Sequence, residues 1–161
     1  MARRSHKTDN LKIIEKIPIF RGLALSQVKR LLDAGETRQF RVGEVLCRQD
    51  DKSTDLFILM SGEVAVRVEQ EEVARMAPVE LIGEMGVVTT QPRSATVEAT
   101  RISTAIAISK IHFDQILKSD QELATKFYKN MIETLCQRLR KANDHWHQGH
   151  SPSEEITSSL I

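Results

Sequence analysis

The chain has 161 residues, 40% of them hydrophobic and 28% charged, and a formal net charge of +1. That length supports one compact domain with its own core, and so small a charge gives no general electrostatic drive toward nucleic acid or a membrane surface. The cysteines Cys47 and Cys136 are too few for a disulfide framework, no run approaches the ~20 apolar residues of a membrane span, and Met1-Ala2-Arg3-Arg4-Ser5-His6-Lys7 has no signal-peptide core, so the expectation is a cytoplasmic protein.

Residues 1–10 read as a flexible basic start carrying Arg3, Arg4 and Lys7. Leu11, Ile13, Ile14 and Ile17 have rough helical spacing, and 25–32 predicts a second short helix with Ser26 in the cap region and Gly35 as the stop. The apolar Ile17-Pro18-Ile19-Phe20 connects them. From Glu36 the texture changes to short β-rich runs at 37–42, 44–47, 55–60, 63–68, 73–76, 95–99 and 103–108. Gly43, Asp50-Asp51, Ser61-Gly62, Gln70-Glu71 and Pro92 punctuate them as turns. Strands this short and this regularly spaced predict an antiparallel β-sandwich or roll, with Val64 and Val66 on one inward face.

After the strands, 111–117 predicts a short helix, and Ser119 is placed to cap the next one. No proline or glycine interrupts the chain from there to about Trp146, which allows one long helix. Tyr128, Ile132, Leu135, Leu139, Ala142 and Trp146 follow a 4-3-4-3-4 spacing, a coiled-coil seam, while Leu123, Phe127 and Met131 form a second row toward the strands. A parallel two-fold homodimer along the seam is expected; the alternative is that both rows pack on their own domain. The stretch 149–161 is rich in Ser and Glu and is expected to be disordered. The fold class is therefore α+β: an antiparallel β-roll over about 36–109, N-terminal helices, and C-terminal helices over about 110–147, making one domain over 11–148.

One stretch carries chemistry. Leu81-Ile82-Gly83-Glu84-Met85-Gly86-Val87 precedes Gln91-Pro92-Arg93-Ser94-Ala95-Thr96. A Gly-Glu turn opening a short helix aims backbone N–H groups at one point, where an anion can sit. Arg93 adds a planar, permanently charged fork suited to phosphate, and Ser94 a hydroxyl beside it. Glu84 repels phosphate but accepts hydrogen bonds from sugar hydroxyls. Gly83, Gly86 and Ala95 are small enough for close backbone approach. Phosphate donors beside a ribose-reading carboxylate describe a nucleotide site.

The pattern resembles the phosphate-binding cassette of the cyclic nucleotide-binding domain family: Phe-Gly-Glu-(Leu/Met)-(Ala/Gly)-(Leu/Val), then Pro-Arg-(Ser/Thr/Ala)-Ala-(Thr/Ser). Gly83, Glu84, Met85, Gly86, Pro92, Arg93, Ser94, Ala95 and Thr96 fit, with Ile82 in place of the aromatic. Phe40, Gly43-Glu44 and the run from Leu56 through Val66 look like the first half of the family's roll. Asp50, Ser53 and Val79 stand where glycines are usual, which alters loops outside the cassette. The likeness covers roughly 11–145.

The resemblance implies a sensor for a 3′,5′-cyclic nucleotide, cAMP favoured over cGMP, with no catalytic residues, cofactor or metal. Gly83, Glu84, Met85, Gly86, Arg93, Ser94 and Ala95 would hold the ligand; Val66, Val73 and Ala74 would line the base pocket. Asn143 would reach the base edge, and Trp146 is a stacking cap only if it leaves the seam. Tightening of the 83–87 turn would move the helix around Phe113 and then the long helix. Activator-type relatives carry a helix-turn-helix domain after this helix; twelve residues follow Gly149 here, so a stand-alone sensor with a separate, unidentified effector is expected. Two other readings stay open. One is an interaction or dimerisation module that kept the fold and lost nucleotide control. The other is a metal enzyme on a double-stranded β-helix, poorly supported because no histidine lies between Glu36 and Ile108. His145, His147 and His150 lack further ligands beside them, and both cysteines read as packed thiols.

Overall fold

The computed structural model describes residues 17–52 and 54–149; the helix expected from Leu11 and both tails lie outside them. A 3-10 turn at Pro18–Phe20 buries Ile19 and Phe20, and α1 (Leu25–Asp33) buries Val28 and Leu31 on one face. Its cap differs from expectation. The helix starts ahead of Ser26, and the Ala24 N–H donates to Oε1 of Gln27 at 2.9 Å instead.

Eight strands follow, in two four-stranded antiparallel sheets. They are β1 (Glu36–Phe40), β2 (Val45–Cys47), β3 (Leu56–Ser61), β4 (Val64–Val68), β5 (Glu71–Met76), β6 (Glu80–Ile82), β7 (Thr96–Ala99) and β8 (Ser103–Ile108), with the short helix α2 (Glu84–Thr89) between β6 and β7. The first sheet runs β1-β8-β3-β6 and the second β2-β7-β4-β5. The C-terminal helices are α3 (Lys110–Ser119) and α4 (Gln121–Gly149).

The sequence of β3 shows why the sheets stack as they do. Leu56, Phe57, Ile58 and Leu59 are all buried, so the strand has no wet face and polar alternation is lost. Phe57 and Leu59 join Val64, Ile82, Val97, Ala105 and Ala107 between the sheets. Leu56 and Ile58 join Leu81, Ile108 and the helices on the other side. The molecule has three layers, sheet on sheet on helices, and the first sheet is shared by two cores.

Phe127 ties the long helix into this arrangement. It is fully buried and lies edge-on to Phe113 of α3, with ring centroids 5.0 Å apart, and tilted against Phe20 at 6.4 Å. Leu123 and Met131 are buried on the same face, as their spacing required. With 29 residues, α4 runs about 43 Å. Past Met131, Ile132 and Leu139 of the seam are 59% and 62% exposed and Tyr128 is 40% exposed. Leu135 instead packs against the core.

Four sequence-based expectations need correction. The three-residue β6 was not foreseen, being too short for a periodic signal. The run 63–68 enters its strand at Val64, because Gly62 takes a left-handed φ of 93° in the turn before it. Ser119 does not cap α4: its hydroxyl donates back to the Ile116 carbonyl, and the Asp120 carboxylate accepts the Leu123 N–H at 2.9 Å. Cys47 is buried, but Cys136 is exposed and not a packed thiol.

Asp120 gathers contacts from two helices, since Gln27 and Arg30 of α1 also donate to it. The Leu123 N–H and Gln27 hold its carboxyl below the ordinary carboxylate range, with the Arg30 charge adding to them. A carboxyl depressed in the folded state stabilises the fold above its unfolded pKa, and that stabilisation disappears as pH falls through the folded value. Asp120→Ala should therefore lower the urea midpoint at neutral pH, and the gap to the wild type should close as titration proceeds below about pH 4.

Candidate functional site

The site grows from the end of β6. Leu81 and Ile82 are inserted into the two different cores, which fixes the direction in which the chain leaves the sheet. Gly83 then turns with φ 87° and α2 begins at Glu84. The N–H groups of the first helical turn have no intrahelical acceptor, and the helix supplies a partial positive charge at the same place.

Arg93 is reached from the other side of the loop. Its main chain is locked to 50–51 in both directions: the Asp50 N–H donates to the Arg93 carbonyl at 2.9 Å, and the Arg93 N–H donates to the Asp51 carbonyl at 3.0 Å. Its side chain runs inward, is 4% exposed, and donates to the carbonyls of Gly83, at 3.2 Å, and Asp55. Through these contacts the guanidinium lies against the Gly83 turn.

These groups border a cavity of about 350 Å³, within the roughly 300–1,000 Å³ usual for small-molecule sites. Of the residues singled out in the sequence, Gly83, Glu84, Met85, Gly86, Arg93, Ser94, Ala95 and Val66 line it. Val66 is joined by its cross-strand partner Ala74, with Met76, Cys47 and Val97 completing an apolar side. Burial pushes the Cys47 thiol up, against the pull of nearby Arg93, so it serves as a neutral wall.

Two anticipated residues stand elsewhere. Val73 is 59% exposed and absent from the lining. The β4–β5 register runs Val66 to Ala74 and then Arg67 to Glu72, leaving Val73 as the extra residue of a bulge and turning it outward. Asn143 is exposed and also absent from the lining. The helix residue that enters the cavity is Arg138, whose Nη1 donates to Oε1 of Glu84. Five residues at 3.6 per turn rotate a side chain by roughly 140°, so the two cannot face the same way. The placement of Trp146, Ala142 and the three histidines lies outside the described side chains.

Arg138 was missed, although a signal existed. It sits eleven residues after Phe127, three helical turns on the same face, so a cation interrupts the apolar stripe opposite the cassette's acid. The charges around it form a small group. Glu84 is 4% exposed. Burial raises the half-buried Glu80 carboxyl above its usual range, Glu84 adds to this, and Arg138 and Lys141 oppose it. A second polar link leads away from the site: Nζ of Lys110, on α3, donates to the Val87 carbonyl of α2 at 2.6 Å and pairs with Asp114 at 3.1 Å.

Among the described residues there is no cluster of three metal-ligating side chains and no helix long and apolar enough to cross a membrane.

Comparison with known proteins points one way. The model of the family described as "Cyclic nucleotide-binding domain" matches residues 37–120. A cyclic nucleotide-gated potassium channel of Mesorhizobium japonicum is 26% identical over 131 residues, 81% of this chain and 36% of the channel; the chain thus spans about a third of that relative's length. A solved cyclic nucleotide-binding domain of Methylobacillus flagellatus superposes with a TM-score of 0.79 at 22% identity, covering 94% of this chain and 88% of its own. The catabolite activator protein of Thermus thermophilus superposes with a TM-score of 0.69 at 25% identity, covering 81% of this chain and 62% of its own.

The two cassette glycines make contrasting tests. A Cβ on Gly83 would collide with the Arg93 guanidinium, and its φ of 87° strains any L side chain. A Cβ on Gly86 meets nothing closer than 3.5 Å. Gly83→Ala should cost about 1–3 kcal/mol in urea unfolding. Gly86→Ala should be neutral or slightly stabilising.

Proposed function

The chain belongs to the cyclic nucleotide-binding domain family, and from that premise we propose that it is a regulatory sensor binding a 3′,5′-cyclic nucleotide in the cavity between α2, the β4–β5 hairpin and α4. The observation that carries the reading is a buried carboxylate and a buried guanidinium, Glu84 and Arg93, set on one small cavity. The roles follow from charge. Arg93 and the first-turn N–H groups of α2 take the cyclic phosphate, with the Ser94 hydroxyl beside them, and Glu84 accepts from the ribose 2′-hydroxyl. Gly83, Met85, Gly86 and Ala95 shape the floor.

The base lies along Val66, Ala74, Met76 and Val97. That lining offers little to the carbonyl and amino groups of guanine, whose burial without partners is costly. It favours adenine, hence cAMP over cGMP. The family match supports a regulatory role.

The response leaves along two routes. Lys110 holds the Val87 carbonyl at the far end of α2, so a shift of that helix is felt by α3 and, through the Phe113–Phe127 contact, by α4. The second route is α4 itself, which reaches the cavity through Arg138. Ligand shifts this equilibrium only by its differential affinity for the two arrangements. The exposed stripe of Tyr128, Ile132 and Leu139 supports a parallel homodimer as the reader of that movement. We place the protein in the cytoplasm, away from nucleic acid and membranes, acting on an effector yet to be identified.

Calorimetric titration with cAMP and cGMP tests the sensor reading. Binding at about micromolar or tighter, with cAMP ahead, is expected for the wild type. Arg93→Lys should weaken it about a hundredfold, as loss of a charge-assisted pair does. Far-UV circular dichroism of the variant separates lost binding from lost folding, and equal affinity in wild type and variant would sink the assignment of Arg93 to phosphate. For the dimer, sedimentation equilibrium should give twice the chain mass, reverting to the monomer in Ile132→Glu. A wild-type monomer at every concentration tested would exclude the seam.

A further inference from the structure

Glu84 has two claimants. In the structure its carboxylate is engaged by Arg138, whose side chain reaches across from α4. In the reading given above, the same carboxylate takes the ribose. The two partners differ in how easily they leave. Glu84 is fixed, with a side chain 5% exposed, and follows directly on the αL turn of Gly83. The Arg138 side chain is 45% exposed, on a long stem that can swing into solvent and be hydrated there.

A buried carboxylate stripped of its partner is strongly destabilised, so Glu84 does not simply let go; it exchanges one partner for another. A guanidinium and the ribose 2′-hydroxyl are both donors, and the hydroxyl is the one that brings no second positive charge to Glu84. Arg138 reaches Glu84 from the rim of the cavity. Half-buried Glu80 stands beside Glu84 with Lys141 near it, so the acids keep one neighbouring cation when Arg138 departs.

The position of Arg138 on α4 gives the exchange its consequence. Phe127 and Met131 are clamped in the core, whereas Gln137 and Leu139 on either side of Arg138 are exposed. The Arg138–Glu84 pair is a polar tie between the roll and this distal part of the helix. We propose that Arg138 is an internal competitor of the ribose: it latches distal α4 to the cassette through Glu84, and a cyclic nucleotide opens the latch by taking that carboxylate. The proposal rests on the nucleotide reading and assigns it a trigger atom.

The test compares Arg138→Gln with the wild type, using cAMP and 2′-deoxy-cAMP, which lacks the hydroxyl that would need Glu84. An internal competitor predicts that Arg138→Gln tightens cAMP binding roughly tenfold, the range of a partly buried ion pair, and leaves 2′-deoxy-cAMP unchanged. Weaker binding of both ligands in the variant would make Arg138 a direct ligand contact and overturn the latch. Weaker binding of cAMP alone would make it a positioning residue for Glu84 and overturn it equally. Binding seen in the variant but too weak to detect in the wild type would support it. Silence of both proteins toward both ligands would remove the nucleotide reading and the latch together. As an independent readout, hydrogen exchange over 135–144 should speed up when cAMP is added to the wild type and be fast already in the variant; slower exchange on addition counts against release.

Discussion

The burial of one arginine organises the site. Arg93 is almost wholly removed from solvent, and its guanidinium donates to the carbonyls of Gly83 and Asp55. To place it there the chain needs the 50–51 loop gripping its main chain, a left-handed residue at Gly83 to clear space, and β6 to aim that residue. Each condition is local, and each fails if the others do. A lysine cannot substitute geometrically, because a point charge does not bridge two carbonyls and still present a flat face. The loops on either side of the cavity are therefore held in register by a single side chain.

That arrangement is joined to the helices by connections of different character. Lys110 on the Val87 carbonyl is directional and short, while Phe113 against Phe127 is a packing contact that tolerates sliding. Arg138 on Glu84 is an ion pair between the long helix and the cassette. Packed interfaces of this kind have discrete arrangements and do not deform continuously, and these contacts join α2, α3 and the long helix. The anchoring of Leu123, Phe127 and Met131 sets where bending or release can begin, namely one turn beyond Met131.

Much of this was legible in the chain. All the strands but β6, and the long helix, followed from turn residues and from the absence of breakers. The Gly83–Glu84 and Arg93–Ser94 pairs stood out because their spacing has a chemical meaning. The losses have physical causes. The three residues of β6 cannot express a period, and the strand exists through pairing with β3. Val73 was assigned to the pocket by the family resemblance, and a bulge that sequence does not mark turns it outward. Ser119 and Asp120 are both able caps, and the choice between them was made by Gln27 and Arg30, some ninety positions earlier. Arg138 was hidden because arginine on a helix is commonplace until its partner is known.

The free edges of the two sheets have a consequence for how the protein behaves in a crowded solution. Each edge is a row of unpaired peptide groups open to a foreign strand. Here β2 and β6 are three residues long, β1 alternates Glu36 and Arg38 along its length, and β5 carries Glu71, Glu72 and Arg75 around its bulge. Two edges are too short to template a partner and two are too charged or too twisted. Among the described residues, runaway cross-β growth is therefore disfavoured at each edge of the roll, whereas the apolar stripe of α4 is a surface where helices can meet without unravelling a sheet.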